Sequence, residues 1–453
     1  MFEFGRELRR VFSGGVPGAF KDGLTGGDSA LLELLDLRLL MAEARAADVA
    51  AGRVSAKDPA ARQLEASIVW REVARRSGDP VALRKAASHA EAAGKAFAAQ
   101  HRGAAQARAR VEQAQCAMLG AELFGDDGLN AAAEAVLKGA APAQGFAAAL
   151  ASCLLAGLAG RRALADGGLE AALDAAEAYE TPFARLTGPA RNAALARLAL
   201  AEQRGARADI LAGCGSRLKD LRLVDAALRE ITAALAVLDA AYEPLIVARL
   251  TALKGSTLTL KGELTGDVGA VADGVDTLTA ALGELSRDHS PLDWARAQAS
   301  LGLALLALGE ATDAGRAFEQ AVACFDRALM VLANQPELAL RASVVNSRAT
   351  CLGRQAELTG DLAVLDAAEA AFKTELAGLS PGRDAIPWAI AQINLARLYE
   401  TRVEITGRDE GALDRAATAL AVALDVFGEQ GMRSLADLAA RGLERLRERV
   451  GQE

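Results

Sequence analysis

Residues 299–332 read ASLGLALLALGEATDAGRAFEQAVACFDRALMVL: an apolar helical stretch, a polar break at Thr312-Asp313, and a second apolar helical stretch. The same arrangement returns every 47 residues. Thr265, Thr312, Thr359 and Thr406 stand at the breaks, each beside a Gly, Asp or Glu. Gly255, Gly302, Ala349 and Ala396 form a small-residue column on that spacing, and Leu258, Leu305, Leu352 and Tyr399 a large apolar one. Leu278, Phe325, Phe372 and Ala419 make another, and Leu285, Leu332, Leu379 and Val426 a fourth. A fixed period between 20 and 50 residues is the mark of a stacked repeat array. The spacing predicts an all-α solenoid, a superhelical array of antiparallel helix pairs, and favours binding over catalysis.

The lattice reaches back to Ser77 and Phe124, each followed by Gly-Asp. Repeats are therefore expected over 28–140 and again over 216–453, ending in a capping helix. Between them, 141–215 reads as an irregular, strongly apolar helical middle. Breaks belong near 171 and 218, but the signals stand at Ala165-Asp166-Gly167-Gly168 and at Gly213-Cys214-Gly215. Residues 1–27 read as an amphipathic arm and linker, with Phe2, Phe4, Leu8 and Phe12 among Arg6, Arg9 and Arg10. Asp28 or Ser29 is the expected N-cap of a first helix from Ala30, apolar nearly all round from Leu31 to Met41.

Composition agrees with helix. Ala dominates, aromatics are 4%, and the 11 Pro fall mostly between helical stretches. A net charge of −8 argues against nucleic acid as a partner. The charge is uneven, with twelve Lys/Arg against six Asp/Glu from Arg53 to Glu112. Arg71, Arg75, Arg76, Arg84 and Lys85 in that stretch read either as solvated helix faces or as a basic face for an anionic partner. Five scattered Cys without a C-x-x-C pair fit a reducing compartment and no zinc site. The uncharged stretch Gly139–Gly160 holds Pro142, Gln144 and Ser152 and reads as a buried helix rather than a membrane span. A cytoplasmic location is expected, with membrane contact confined to the N-terminal arm if it occurs at all.

In the C-terminal units, Ala299-Ser300-Leu301-Gly302-Leu303-Ala304-Leu305 and Ile393-Asn394-Leu395-Ala396-Arg397-Leu398-Tyr399 resemble the first helix of a tetratricopeptide repeat, which carries Asn-Leu-Gly-x-x-Tyr. Ala321, Phe325 and Ala328 are similar to the Ala-x-x-x-Phe-x-x-Ala of its second helix. The unit here is 47 residues, against about 34 for the usual repeat. Pro291-Leu292-Asp293-Trp294-Ala295 with Gln298, and Pro387-Trp388-Ala389 with Gln392, resemble a longer bacterial variant. The likeness is good over 225–427 and fair over 58–140; HEAT-like and armadillo-like arrays are the alternative. The resemblance implies a concave groove lined by first helices, holding a protein or peptide partner. Ser300, Ser347 and Asn394 would face it, with Asn346, Thr350 and Arg397 beside them; ordinary solvated positions are the alternative for each. Only Arg397 fits the cation pattern of a peptide-carboxylate clamp, so no clamp is expected.

Catalytic signatures are absent from the sequence: no phosphate-binding Gly-rich loop, no H-E-x-x-H, no G-x-S-x-G and no D-D-x-x-D. His89, His101 and His289 are not spaced as ligands, and Asp126-Asp127-Gly128 lacks the rest of a calcium loop. No cofactor, metal or enzymatic activity is expected. The leading expectation is an adaptor or scaffold. A self-assembling or membrane-associated structural component comes next, and a helical-toroid enzyme last.

Overall fold

The computed structural model describes residues 29–53, 58–141, 144–191, 193–335, 337–382, 385–430 and 433–450. The arm expected over 1–27, and Asp28, lie outside them. Among the described residues every regular element is helical. A 3-10 turn, Ser29–Leu34, precedes α1 (Leu37–Ala51), α2 (Pro59–Ser77), α3 (Pro80–Ala99), α4 (Gly103–Phe124) and α5 (Asp127–Lys138). Then come α6 (Phe146–Ala165), α7 (Leu169–Glu177), α8 (Glu180–Ala190), α9 (Ala194–Leu218) and α10 (Leu221–Leu235). The rest are α11 (Pro244–Thr265), α12 (Val268–Glu284), α13 (Pro291–Thr312), α14 (Gly315–Leu332), α15 (Ala339–Thr359), α16 (Leu362–Gly378), α17 (Ala385–Thr406), α18 (Ala412–Glu429) and α19 (Arg433–Val450).

Consecutive helices pack as pairs, α2 on α3, α4 on α5, α9 on α10, α15 on α16 and α17 on α18, and first helices touch the next first helix, as α2 does α4 and α15 does α17. The chain is an all-α solenoid. It divides into two compact units: residues up to Leu264 with Asp276–Trp294, and Thr265–Val275 with Ala295 onward. The seam thus falls near 265–294, outside the apolar middle at 141–215.

The 47-residue lattice is a lattice of turns. Thr265, Thr312, Thr359 and Thr406 are the last residues of α11, α13, α15 and α17. In three of them the hydroxyl donates to the carbonyl four residues back: Thr312 to Leu308, Thr359 to Gln355 and Thr406 to Arg402, at 2.7, 2.8 and 2.7 Å. The next residue is left-handed, at φ 69° in Gly266, 66° in Gly360 and 66° in Gly407, and so favours glycine. Asp then caps the second helix: Asp361 accepts from Ala363 N at 2.8 Å, and Asp267 from Gly269 N at 2.9 Å. Ser77-Gly78-Asp79 repeats this chemistry, with Ser77 bonded to Val73 and Asp79 to Val81.

One expectation about the middle is corrected. Gly213-Cys214-Gly215 is no break; it lies inside α9. A Cβ on Gly215 would stand 2.8 Å from Val224, and one on Gly213 3.0 Å from Leu164. These glycines let neighbouring helices approach. The break comes at Leu218, on the lattice, where Lys219 takes the left-handed position (φ 51°) and Asp220 caps α10 through Arg222 N. The unit before it is the distorted one: its break arrives early, at Asp166-Gly167, and two short helices, α7 and α8, fill the second-helix place.

The first helix begins at Leu37, not Ala30. Asp36 caps it by accepting from Leu39 N at 2.8 Å. Leu32, Leu35 and Leu40 are buried, but Leu39 is exposed, so the helix is not buried all round. α6 is long and apolar enough to cross a membrane, yet 61% of its most apolar stretch is buried within the chain, where it packs in the core. All five cysteines are buried and free. The repeat columns are core as well: Leu278, Phe325, Phe372 and Ala419 are all buried, and a Cβ on Gly302 would meet the Phe325 ring at 2.7 Å.

Candidate functional site

In the C-terminal unit the first helices α13, α15 and α17 carry the six residues singled out for the groove. Ser300, Asn346, Ser347, Thr350 and Asn394 are half-buried and Arg397 is exposed. Two of them meet: Asn394 Nδ2 donates to Asn346 Oδ1 at 2.7 Å, joining α17 to α15. Ser347 turns its hydroxyl back to the Ser343 carbonyl. Arg397 is engaged, its guanidinium donating to both oxygens of Glu357 at 2.8 and 3.2 Å.

Glu357 is the residue that sequence reasoning missed. It also accepts from Thr401 at 3.2 Å and from Arg354 at 2.7 Å, and Arg354 reaches on to Glu310 at 2.9 Å. A charged ladder therefore runs Glu310–Arg354–Glu357–Arg397 across three successive first helices. Burial raises the pKa of the Glu357 carboxyl, with Arg354 and the Thr401 bond pulling the other way and Glu404 and Glu310 adding to the rise. The signal lay in the sequence: Glu263, Glu310, Glu357 and Glu404 form a column at 47-residue spacing, two residues before each Thr.

In the N-terminal unit the proposed basic face is corrected. Arg76 is fully buried, and the side chains of Arg71 and Arg75 are only 20% and 16% exposed. Arg71 forks onto Glu112 at 2.5 and 3.2 Å, and Arg75 onto Glu72 at 2.8 and 2.5 Å. Burial opposes ionisation of Glu72, but Arg75 and Arg76 outweigh it and hold its carboxyl far below the usual carboxylate range. Lys85 sits 4.2 Å over the Trp70 ring and bonds Asp48 at 2.8 Å; of the five, only Arg84 is an exposed residue. Local charge counting misled because a net excess of cations does not say which are engaged: Arg71, Arg75 and Arg76 each meet a carboxylate, Glu112 or Glu72, and are withdrawn from the surface.

Arg76 also grips the chain itself. Its Nη1 donates to the Leu35 carbonyl and its Nη2 to the Leu32 carbonyl, both at 2.7 Å. Between those two residues, Glu33 accepts from Leu245 N and Ile246 N, both 3.0 Å, at the start of α11. A carboxylate suits that place, where unpaired amides and the positive end of the helix dipole meet. Arg249 stands 3.4 Å from Glu33 and 3.3 Å from Asp293, and Leu37 N donates to the Asp288 carbonyl at 3.0 Å. The stretch Leu32–Leu37 is thus held from α2, from α11 and from the link before α13. Burial pushes the Glu33 carboxyl up to about 7, against the pull of Arg75, Arg76 and the Ile246 amide. Among the described residues no three His, Cys, Asp or Glu side chains gather as metal ligands.

No protein-family model matches the chain, and no curated protein matches it. Among solved structures it is similar to a Rap protein complexed with Competence and Sporulation Factor, at 13% identity and TM-score 0.49, over 87% of this chain and 98% of that one. It is also similar to the apo form of RapI, at 12% identity and TM-score 0.45, over 87% and 99%. A third is a circular tandem repeat protein with novel repeat topology and enhanced subunit contact surfaces, at 15% identity and TM-score 0.26, over 84% and 95%.

Proposed function

We propose that this chain is a non-enzymatic adaptor, built of lengthened tetratricopeptide-like units, that holds a protein or peptide partner along its first-helix faces in the cytoplasm. One observation carries the reading: the N-terminal unit already binds a stretch of polypeptide, Leu32–Leu37, through its main-chain carbonyls and one carboxylate. The bonds to the Leu32 and Leu35 carbonyls hold a 3-10 turn and the link after it by the backbone, and side-chain pockets then select among segments. The C-terminal unit supplies polar groups for the same task in Ser300, Asn346, Ser347, Thr350, Asn394 and Arg397, with the ladder through Glu357 beside them.

The test uses the full-length chain as bait in extracts of its own host, with mass spectrometry of what is retained. The partner so found is then titrated against Asn394→Ala/Arg397→Ala. Removing the Asn346–Asn394 bond costs about 1 kcal/mol of stability. The exposed Arg397–Glu357 pair is worth at most about 1 kcal/mol more, so the melting temperature drops by only a few degrees. Partner affinity is expected to fall at least tenfold, about 1.4 kcal/mol. Unchanged affinity in the double variant would remove the C-terminal first-helix face from the interface.

A further inference from the structure

A recess of about 90 Å³ lies within the N-terminal unit, between α2, α4, α6 and α9, with Leu32 and Glu33 closing one side. Its walls divide by chemistry. Val111, Phe146, Leu150 and Leu198 make one side apolar. On the other, Arg71 and Arg75 are matched by Glu112 and Glu72. Arg108 is not matched. It stands one helical turn before Glu112 on α4, half-buried and lining the recess, with no hydrogen bond or ion pair to any described residue. Gln115, two turns along the same stripe, is likewise unbonded. Burial lowers the Arg108 pKa, with Glu112 and Glu65 pulling it back up.

We propose that this recess is a binding site for a small carboxylate on a short apolar body, with the carboxylate on Arg108 and Gln115 and the body against Phe146, Leu150 and Leu198. A guanidinium withdrawn from bulk water without a partner is costly, and a carboxylate matches its fork with two parallel hydrogen bonds. Four carboxylates also line the recess, Glu33, Glu72, Glu112 and Glu202, but each already meets a guanidinium, so the charge left for a ligand to match is that of Arg108. Glu202 faces Arg249 at 3.7 Å, and burial raises its pKa against the pull of Arg75 and Arg71. At about 90 Å³ the recess is too small for an extended polypeptide. The carboxylate is therefore either that of a free small acid or the C-terminal group of a very short peptide.

The experiment is calorimetric titration and thermal shift of the full-length chain with isovalerate, hexanoate and isovaleramide. A leucine-ending dipeptide is added with free and with amidated C-terminus. The acids are expected to bind and to raise the melting temperature, with isovaleramide at least tenfold weaker than isovalerate. Arg108→Met is expected to abolish that acid-over-amide preference. Ala147→Leu, which fills the recess from α6 without touching its charge, is expected to abolish binding altogether and serves if Arg108→Met does not fold. Binding by the free-ended dipeptide and not by the free acids assigns the carboxylate to a chain end and upholds the site. The proposal is overturned if no carboxylate binds at millimolar concentration, if amide and acid bind alike, or if both variants bind as the parent does.

Discussion

Glu33→Gln isolates a buried carboxyl whose pKa lies well above the usual carboxylate range. The Glu33 side chain is 7% exposed, and burial lifts its carboxyl from 4.5 to about 7 despite two amide donors and the nearby Arg75, Arg76 and Arg249. A carboxyl raised in the folded state binds its proton there over a pH range in which the unfolded chain has released it. Stability from this group is therefore fully present below about 4.5 and is lost as pH rises through about 7. Integrated from pH 5 to pH 8, the loss amounts to about 2.5 kcal/mol. Glutamine keeps an oxygen for the Leu245 and Ile246 amides and has no proton to lose. His289, whose pKa burial lowers, titrates in both proteins; Glu202, whose pKa is raised by burial and by the Glu33 charge, is coupled to the substituted group, so the difference reports Glu33 together with its effect on Glu202. The assay is urea unfolding followed by circular dichroism at pH 5, 6, 7 and 8 for parent and variant. The variant should gain on the parent steadily with rising pH, by about 2.5 kcal/mol in all. A pH-independent difference, or a parent that gains on the variant as pH rises, would refute the assignment of a desolvated carboxyl at this position.

Two further changes probe the repeat itself. Gly302→Ala places a Cβ 2.7–3.0 Å from three atoms of the fully buried Phe325 ring and should cost about 1–3 kcal/mol. Phe325→Leu in that background should recover part of the loss, and strictly additive effects in chemical denaturation would show that the two residues do not touch. Lys219→Gly should stabilise the N-terminal unit by roughly 0.5–1 kcal/mol. That is the relief of a left-handed Lys (about 1–2 kcal/mol) less the freedom glycine adds to the unfolded chain (about 0.4–1 kcal/mol). A lowered urea midpoint would mean that the Lys219 side chain contributes something its backbone does not reveal.

Much of the array was legible because it is built from local rules applied every 47 residues. Thr closes a helix, Gly turns left-handed, Asp caps the next helix, and small residues face Phe; each of these needs only neighbours within one unit. The misreadings have two physical sources. Glycine has two separate uses, a left-handed backbone and the absence of a Cβ, and a sequence does not say which one is in force. Gly213 and Gly215 serve close packing, while the left-handed break four residues on was left to Lys219. Charge is the second source. Arg71, Arg75 and Arg76 were counted as a surface, but Arg71 is met by Glu112 on α4 and Arg75 and Arg76 by Glu72 one turn back on α2, and Arg76 gives its remaining donors to Leu32 and Leu35. Glu357 was overlooked for the opposite reason, since one glutamate per unit looks like ordinary helix surface. Yet carboxylates at the same position in successive units would stack like charges along the array. Arg354 and Arg397 interleave with Glu310 and Glu357 and turn that column into a ladder that joins one first helix to the next. A partner lying on this face would meet alternating charge already locked in place, so its own charges would be selected by pattern rather than by net sign.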